Sequence, residues 1–137
     1  MLTALCFAAK RGVEVVLLLP HIPDKKYAFA LAKTHYRELL EAGVCILEYT
    51  PGFVHAKVFV SDDVKAVVGT INLDYRSLYL HFECAAYLYG VPAIGDIEQD
   101  FIETAAKCQE IRLDDLRREN LITRVMGWLL KVLAPVM

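Results

Sequence analysis

The sequence lacks an excess of positive charge. It has 15 Lys and Arg residues against 17 Asp and Glu residues among 137, which gives a formal net charge of -2 at pH 7. A protein that binds nucleic acid through its phosphates normally carries a clear basic excess. The charge balance therefore disfavours nucleic acid as a partner.

Closely spaced cysteines are also absent. The sequence has four cysteines, Cys6, Cys45, Cys84 and Cys108, and no two of them form the CxxC pair of a zinc or redox site. We expect them to be reduced and mostly buried, because a free cysteine behaves as a small hydrophobic residue. Their spacing argues against a cysteine-based metal centre.

Long hydrophobic runs are missing as well. No segment reaches the roughly 18 to 20 consecutive apolar residues that a membrane-spanning helix needs. Hydrophobic residues nonetheless make up 56% of the chain and charged residues 23%, which is enough apolar material for a packed core. A chain of this length predicts one compact domain.

The first part of the chain alternates between helical and strand-like segments. Gly12 and Gly43 each follow a helical pattern, where helix-terminating glycines belong. The predicted elements are a helix at 2–9, a strand at 13–19, a helix at 27–42 and a strand at 44–49. A strand, helix, strand order with two apolar strands implies a right-handed crossover between parallel neighbours. The predicted fold class is α/β, a mixed β-sheet flanked by helices on both faces.

A β-hairpin is predicted next, turning at Asp62-Asp63. The predicted elements in this part are strands at 55–61 and 65–69, an irregular polar stretch at 70–81, a strand at 82–89 and a helix at 94–108. We place the domain at residues 1–112.

The tail at 113–137 has a different composition, a charged stretch followed by an apolar one. We expect a helical tail that packs on the domain. The alternative is a helix at a membrane interface, since Trp128 is flanked by Arg124 and Lys131.

Three polar side chains of the hairpin region are predicted to converge. His55 and Lys57 share a face of their strand, because alternate residues of a strand point the same way. If the hairpin turns about Asp63, opposite residues have numbers that sum to about 126, which places Asn72 near His55. An imidazole, an ammonium and a carboxamide around one point suit a phosphate group. A metal site fits less well, because lysine is not a usual metal ligand.

These residues belong to a longer pattern, His55-x-Lys57-x4-Asp62-x6-Gly69-Thr70-x-Asn72. It resembles the HKD signature of the phospholipase D superfamily, HxKx4Dx6GSxN, with every spacing matched. Thr70 stands where the family more often has Ser, a change that keeps the hydroxyl.

Further segments resemble the C-terminal half of bacterial cardiolipin synthases, so that the resemblance covers nearly the whole chain. They are Arg11-Gly-Val-Glu-Val-Val-Leu-Leu-Leu-Pro20, Leu39-Leu-Glu-Ala-Gly-Val44, Tyr49-Thr-Pro-Gly-Phe-Val-His-Ala-Lys57, Asn72-Leu-Asp-Tyr-Arg-Ser77, Phe82-Glu83 and the ending at 129–137. Members of that family have two HKD motifs and N-terminal membrane segments, whereas this sequence has one motif and no such segment. The resemblance implies half an enzyme, located peripherally at the bacterial cell membrane.

The resemblance also implies a reaction that needs no metal or cofactor. A histidine attacks phosphorus to give a phosphohistidine, and the histidine of a second motif protonates the leaving alcohol. The donor and acceptor would both be phosphatidylglycerol, and glycerol would leave.

The same resemblance assigns roles to individual residues. His55 is the nucleophile or the acid/base, Lys57 and Asn72 bind phosphate oxygens, and Glu83 orients His55. Glu83 alternatively stays solvated or pairs with Arg76. The remaining motif residues, Asp62, Gly69 and Thr70, are expected to be structural, and the residues expected to shape the neighbouring loop or bind the headgroup are Asp74, Arg76 and Ser77.

Three functions stay open at this point. The first is a cardiolipin synthase half that works with a second HKD half or with a second copy of itself. The second is another phosphodiesterase of the superfamily, such as a homodimeric nuclease, and the third is a non-catalytic half-domain. A half-enzyme should also expose an apolar surface. The other histidines, His21, His35 and His81, are interpreted as surface or boundary residues.

Overall fold

The structure is a computed structural model that describes residues 1–117 and residue 129. Its elements are α1 (Leu2–Lys10), β1 (Val16–Pro20), α2 (Lys26–Glu41), β2 (Cys45–Tyr49), β3 (Val58–Ser61), β4 (Lys65–Gly69), α3 (Tyr75–Tyr79), β5 (Ala85–Tyr89), α4 (Ala93–Ala105), β6 (Cys108–Ile111) and α5 (Leu113–Arg117). The predicted tail helix lies, apart from its first residues and residue 129, outside the described part of the chain. None of the helices in that part is both long and apolar enough to cross a bilayer.

The first sheet is mixed and has the strand order β1-β2-β6. β1 and β2 are parallel, with Val16 opposite Cys45, as the strand, helix, strand pattern predicts. β6 runs antiparallel to β2, with Ile111 opposite Ile46. The prediction of a helix at 94–108 was therefore wrong at its C-terminal end, because α4 ends at Ala105 and Cys108 begins β6. The chain leaves α4 without a glycine or proline to mark the change, and β6 forms because it can add to the free edge of β2.

The main core lies between this sheet and the helices α1, α2 and α5. Tyr36 and Ile46 are almost fully buried at its centre, with 1% and 0% of their surface exposed. The buried members of this cluster are Cys6, Tyr36, Leu39, Ala42, Val44, Ile46, Ile111 and Leu116. Helix α2 ends before Gly43, whose φ of 96° suits glycine at the end of a helix. The start of the tail joins this core through Leu116.

The second sheet is an antiparallel meander in the order β3-β4-β5. Val58 lies opposite Val68 and Phe59 opposite Val67, so the predicted hairpin register is confirmed. Asp62 and Asp63 form the turn with φ of 53° and 55°, a left-handed conformation that Asp tolerates better than most residues.

The α/β class is thus confirmed, but the strands form two three-stranded sheets rather than one. β2 pairs with β6 instead of β3, because the break at Pro51-Gly52 separates β2 from the hairpin. Helix α4 packs against β3 on one side. Tyr87 and Tyr89 point to the other side and are 63% and 64% exposed, so that face of the second sheet is open within the described residues. We call it the open face.

The cysteines only partly follow the prediction. All four are free, but only Cys6 is buried and Cys84 is exposed. Burial raises the pKa of the Cys45 and Cys108 thiols, which keeps them protonated and unreactive. Cys84 is exposed because it lies at the rim of the pocket described next.

Candidate active site

An open pocket of about 350 Å³ lies at the end of the second sheet. Its lining consists of His55, Lys57, Gly69, Thr70, Asn72 and Glu83. Five of these six residues come from the sequence motif and the sixth is the predicted carboxylate. The structure thus brings together the residues that the spacing predicts to converge.

Backbone hydrogen bonds at the ends of the strands build this pocket. The Gly69 amide donates to the Lys57 carbonyl at 3.1 Å, which extends the β3–β4 pairing by one step. The Thr70 amide donates to the carbonyl of Cys84, the residue before β5, at 3.0 Å. Within the described chain, no backbone hydrogen bond joins His55 to the strand opposite it. β3 therefore starts at Val58, three residues later than predicted, and the His55 side chain remains outside the sheet.

Gly69 lets β4 and β5 approach closely at the base of the pocket. A Cβ atom at this position would lie 2.6 Å from both the Cα and the Cβ of Ala85, and it would also collide with the Cys84 carbonyl oxygen. Two of these three atoms belong to the backbone and cannot move aside easily. The glycine of the motif is required by this close approach.

Thr70 connects the two sides of the pocket through its hydroxyl group. The hydroxyl accepts a hydrogen bond from the Cys84 amide at 3.1 Å and donates to Oε2 of Glu83. Since this side-chain bond replaces a ladder bond, β5 begins at Ala85 rather than at Phe82 as predicted. The structural role predicted for Thr70 is consistent with these contacts.

His55 is exposed and stacks on Phe53, with ring centroids 5.5 Å apart and an angle of 20° between the planes. Within the described residues its ring nitrogens make no hydrogen bond. Both nitrogens are thus accessible from the pocket, as a nucleophile or a proton carrier requires. The proposed orienting bond from Glu83 to His55 stays a prediction, because the Glu83 carboxylate contacts Thr70 and His81 here.

Lys57 supplies a cation beside His55. Its Nζ donates to the backbone carbonyl of His55 at 2.6 Å. Partial burial lowers the pKa of Lys57, because the ammonium loses water, and the negative charges of Glu83 and Asp24 oppose this change.

Asn72 is held by a short helix that the sequence analysis did not predict. Its Nδ2 donates to the Ser77 hydroxyl at 3.4 Å, and Asp74 caps α3 by accepting from the Ser77 amide at 2.7 Å. Arg76 is exposed on the same helix. Asp74, Arg76 and Ser77 do not line the pocket, and a headgroup-binding role for them stays a prediction. The role that the contacts support for Asp74 is structural.

Glu83 supplies the carboxylate among the residues that line the pocket. The Thr70 hydroxyl lowers its pKa below the ordinary value of 4.5, and the Ser77 hydroxyl and His81 add to that effect. Its neighbour is His81, whose Nδ1 lies 3.2 Å from Oε1 of Glu83. The predicted alternative of a Glu83–Arg76 pair is not formed. The sequence does not reveal the contact with His81, because that residue lies in a segment without periodicity.

Asp62, the remaining motif residue, lies at the hairpin turn, on the far side of the hairpin from the pocket. It is exposed and accepts a hydrogen bond from the Ser61 hydroxyl at 2.9 Å. This position is consistent with the structural role predicted for it.

A second histidine–carboxylate cluster lies outside the pocket, beside the first sheet. Glu48 is 1% exposed and contacts Nδ1 of His21 at 2.7 Å. The Tyr36 hydroxyl donates to its other oxygen at 3.1 Å, and the Lys33 ammonium lies 3.7 Å from that oxygen. No residue of this cluster lines the pocket.

The pocket thus combines a free imidazole, an ammonium, a carboxamide and a carboxylate around an open volume. A phosphate diester would place its oxygens on Lys57 and Asn72 and its phosphorus near His55. Such an arrangement suits transfer of a phosphoryl group through a histidine.

Comparison with known proteins places the chain within a family. The family model described as cardiolipin synthase, PLD-like domain, matches residues 1–105. A protein of Bacillus anthracis named cardiolipin synthase 2 is 39% identical over 137 residues, which is 100% of this chain and 27% of that protein. The cardiolipin synthase of Halalkalibacterium halodurans is 36% identical, again over 100% of this chain and 27% of its own length. An uncharacterized protein of Streptococcus mutans is 55% identical over 98% of this chain and 29% of that protein.

A solved structure supports the fold. The phospholipase D family member Nuc from Salmonella typhimurium superimposes with a TM-score of 0.71, at 18% sequence identity. The match covers 81% of this chain and 72% of that chain. This chain accordingly has the fold of one Nuc-like unit, while it spans little more than a quarter of the length of the cardiolipin synthases that it matches.

Proposed function

This chain belongs to the cardiolipin synthase PLD-like domain family, and on that premise we propose that it supplies one half-site of a phosphatidyltransferase. The reaction is the transfer of a phosphatidyl group from one phosphatidylglycerol to another, with release of glycerol. The observation that carries this proposal is the single pocket that unites His55, Lys57, Asn72 and Glu83.

Binding of the lipid phosphate is the first proposed step. The diester oxygens accept hydrogen bonds from Lys57 and Asn72, and the positive charge of Lys57 offsets the negative charge that grows on those oxygens during attack. Glu83 keeps a negative charge in the pocket, which favours the protonated form of Lys57.

Transfer through a histidine is the second proposed step. In one assignment a ring nitrogen of His55 forms a bond to phosphorus, the bond from phosphorus to the glycerol oxygen breaks, and the histidine of a second half-site gives that oxygen a proton. The hydroxyl of the second phosphatidylglycerol then returns its proton to that histidine and attacks phosphorus, which releases His55. The two histidines exchange roles in the alternative assignment.

The second histidine makes a partner necessary, and we propose that it comes from another HKD half or from a second copy of this chain. Two observations support a partner. The matched cardiolipin synthases are more than three times as long as this chain, which covers 27% of their length. Lys57 and Gly69 lie on the same side of the second sheet as Tyr87, so the open face continues directly from the pocket.

Exposed aromatic side chains at the pocket support a lipid substrate. Phe53, which stacks on His55, is 54% exposed, and Phe82, next to Glu83, is 101% exposed. We propose that the pocket opens towards a membrane surface, where phospholipid headgroups reach it and the aromatic rings contact acyl chains. The proposed location is peripheral, at the bacterial cell membrane.

A phosphodiesterase made of two copies of this chain is the second candidate. The open pocket favours it, because water could take the place of the acceptor alcohol there. Under this alternative the products would be phosphatidic acid and glycerol instead of cardiolipin and glycerol.

The test is an assay in mixed micelles of phosphatidylglycerol, with the chain alone and with the N-terminal half of the Bacillus anthracis relative added. Mass spectrometry quantifies cardiolipin, phosphatidic acid and glycerol, and light scattering sizes the same samples. We expect cardiolipin in at least one arm, and its loss in His55→Ala. The proposal fails if the folded chain gives no cardiolipin in either arm. Phosphatidic acid without cardiolipin supports the second candidate.

A further inference from the structure

We propose that His81 is a positioning residue for the transfer reaction, because it holds one oxygen of the Glu83 carboxylate while Thr70 holds the other. This inference rests on the proposed function and deepens it. His81 does not line the pocket, and it acts on the pocket only through Glu83.

The two contacts fix Glu83 from both sides. Nδ1 of His81 lies 3.2 Å from Oε1, and the Thr70 hydroxyl donates to Oε2. The Glu83 side chain is only 14% exposed, whereas the His81 side chain is 50% exposed. A carboxylate on a segment outside the sheet would otherwise rotate into water, so these contacts determine its orientation.

His81 is itself placed by the backbone. Its amide donates to the Arg76 carbonyl at 2.8 Å, which joins the residue to the C-terminal end of α3. The same short helix is capped by Asp74 and carries Ser77, which contacts Asn72. Helix α3 thus links both sides of the pocket, through Asn72 on one side and through His81 and Glu83 on the other.

The carboxylate keeps room for His55. An ionised carboxylate has about four lone-pair positions. The donors that face it are the hydroxyls of Thr70 and Ser77 and the imidazole of His81, while Lys57 contributes positive charge without a direct bond. Three donors against about four positions leave room for a ring N–H of His55.

The test follows the titration of the Glu83 carboxyl group by carbon-13 NMR, in a chain labelled at the glutamate carboxyl carbon. The signal is assigned by its loss in Glu83→Gln. We expect the pKa of Glu83 to rise in His81→Phe, which removes both the hydrogen bond and the positive charge. His81→Asn keeps an amide donor and should give an intermediate pKa, and it also serves if the Phe variant does not fold.

A matched control comes from the other histidine of similar exposure. His21 is 49% exposed and contacts Glu48 through the same ring nitrogen, so His21→Asn makes an equivalent change at a pair that does not line the pocket. We expect it to leave the titration of Glu83 unchanged. An equal change in the pKa of Glu83 in His81→Asn and in His21→Asn would indicate a general effect and would overturn the proposal.

The kinetic measurement uses the transfer assay in whichever form gives cardiolipin, with the chain alone or with the added N-terminal half. For a positioning residue we expect kcat to fall on the order of tenfold in His81→Phe, with KM nearly unchanged and partial recovery in His81→Asn. An unchanged kcat, or an unchanged titration of Glu83 in the folded variant, overturns the proposal. If the wild-type chain does not transfer lipid but the pKa of Glu83 still rises in the His81 variants, the proposed function is contradicted. The contact between His81 and Glu83 is then still established.

Discussion

Two glutamates of this protein have similar contacts and different surroundings. Glu48 and Glu83 each accept a contact from Nδ1 of a half-exposed histidine, at 2.7 Å and 3.2 Å. The Glu48 side chain is 2% exposed and is enclosed by the helix α2 and the first sheet, whereas Glu83 is 14% exposed and lines an open pocket. A histidine–glutamate pair alone does not distinguish a structural cluster from a functional site.

The donors around each pair make the distinction. Three groups contact the two carboxylate oxygens of Glu48, namely the His21 ring, the Tyr36 hydroxyl and the Lys33 ammonium. The pocket around Glu83 also contains His55 with free ring nitrogens, and such a group can act on a ligand. We infer that Glu48 stabilises the fold and that Glu83 serves the chemistry.

The largest expected effect on stability comes from removing Glu48. Glu48→Ala removes the hydrogen bond from the buried Tyr36 hydroxyl and the contacts of His21 and Lys33, and it opens space in the core, so we expect a loss of about 3 kcal/mol in the free energy of unfolding. Urea denaturation measures this change. Glu83→Ala is the matched variant and should cost clearly less, because the Glu83 side chain is more exposed than that of Glu48. Equal losses in both would contradict the distinction between the two clusters.

Gly69→Ala should be the next largest change. The added methyl group collides with the backbone of Cys84 and Ala85, which costs about 1–3 kcal/mol and displaces the base of the pocket. Thermal unfolding and the transfer assay measure the two effects. Gly95→Ala is the control, since a Cβ at Gly95 in α4 meets no atom within 4 Å and alanine favours helices. A Gly69→Ala variant as stable as the wild type would show that β4 and β5 are not so close.

The pH dependence of Glu83 tests the same pocket. Thr70 is the main cause of the lowered pKa, so Thr70→Val should raise the pKa of Glu83 towards 4.5. A carboxyl group whose pKa is lowered in the folded state stabilises the protein at pH values above its ordinary pKa. That stabilisation is lost as the pH falls through the folded-state pKa. The free energy of unfolding, measured by denaturation, should therefore fall less between pH 6 and about pH 3 in Thr70→Val than in the wild type. An unchanged pH dependence would contradict the role of this hydroxyl.

The smallest expected effect concerns a third carboxylate, where the shift has the opposite sign. The neighbouring Asp63 raises the pKa of Glu98 above 4.5, through a shared hydrogen bond and charge repulsion. Asp63→Asn removes the repulsion, so the pKa of Glu98 should fall. Carbon-13 NMR measures it, and an unchanged pKa would show that the two groups do not interact.

Local patterns predicted most of the fold and the central part of the site. The spacing from His55 to Asn72, together with the turn at Asp62-Asp63, was sufficient to predict the hairpin register and the shared pocket. These features depend on residues close together in the sequence, and the period of a strand fixes which of them share a face.

The features that the sequence did not reveal depend on distant contacts. β6 exists because β2 has a free edge, which no pattern near Cys108 records. The contact of Glu48 with His21 joins the end of β1 to β2, and the contact of His81 with Glu83 depends on how α3 ends. The division into two sheets depends likewise on which edge of β2 is occupied.

The most direct test of the account measures transfer per folded molecule in Glu83→Gln and Glu48→Gln, with the second half-site present. Both substitutions replace a carboxylate by an amide of the same shape. We predict that Glu83→Gln loses less stability than Glu48→Gln but most of the cardiolipin-forming activity, while Glu48→Gln loses more stability and keeps its activity per folded molecule. The opposite pattern, activity retained in Glu83→Gln and lost in folded Glu48→Gln, would contradict the account.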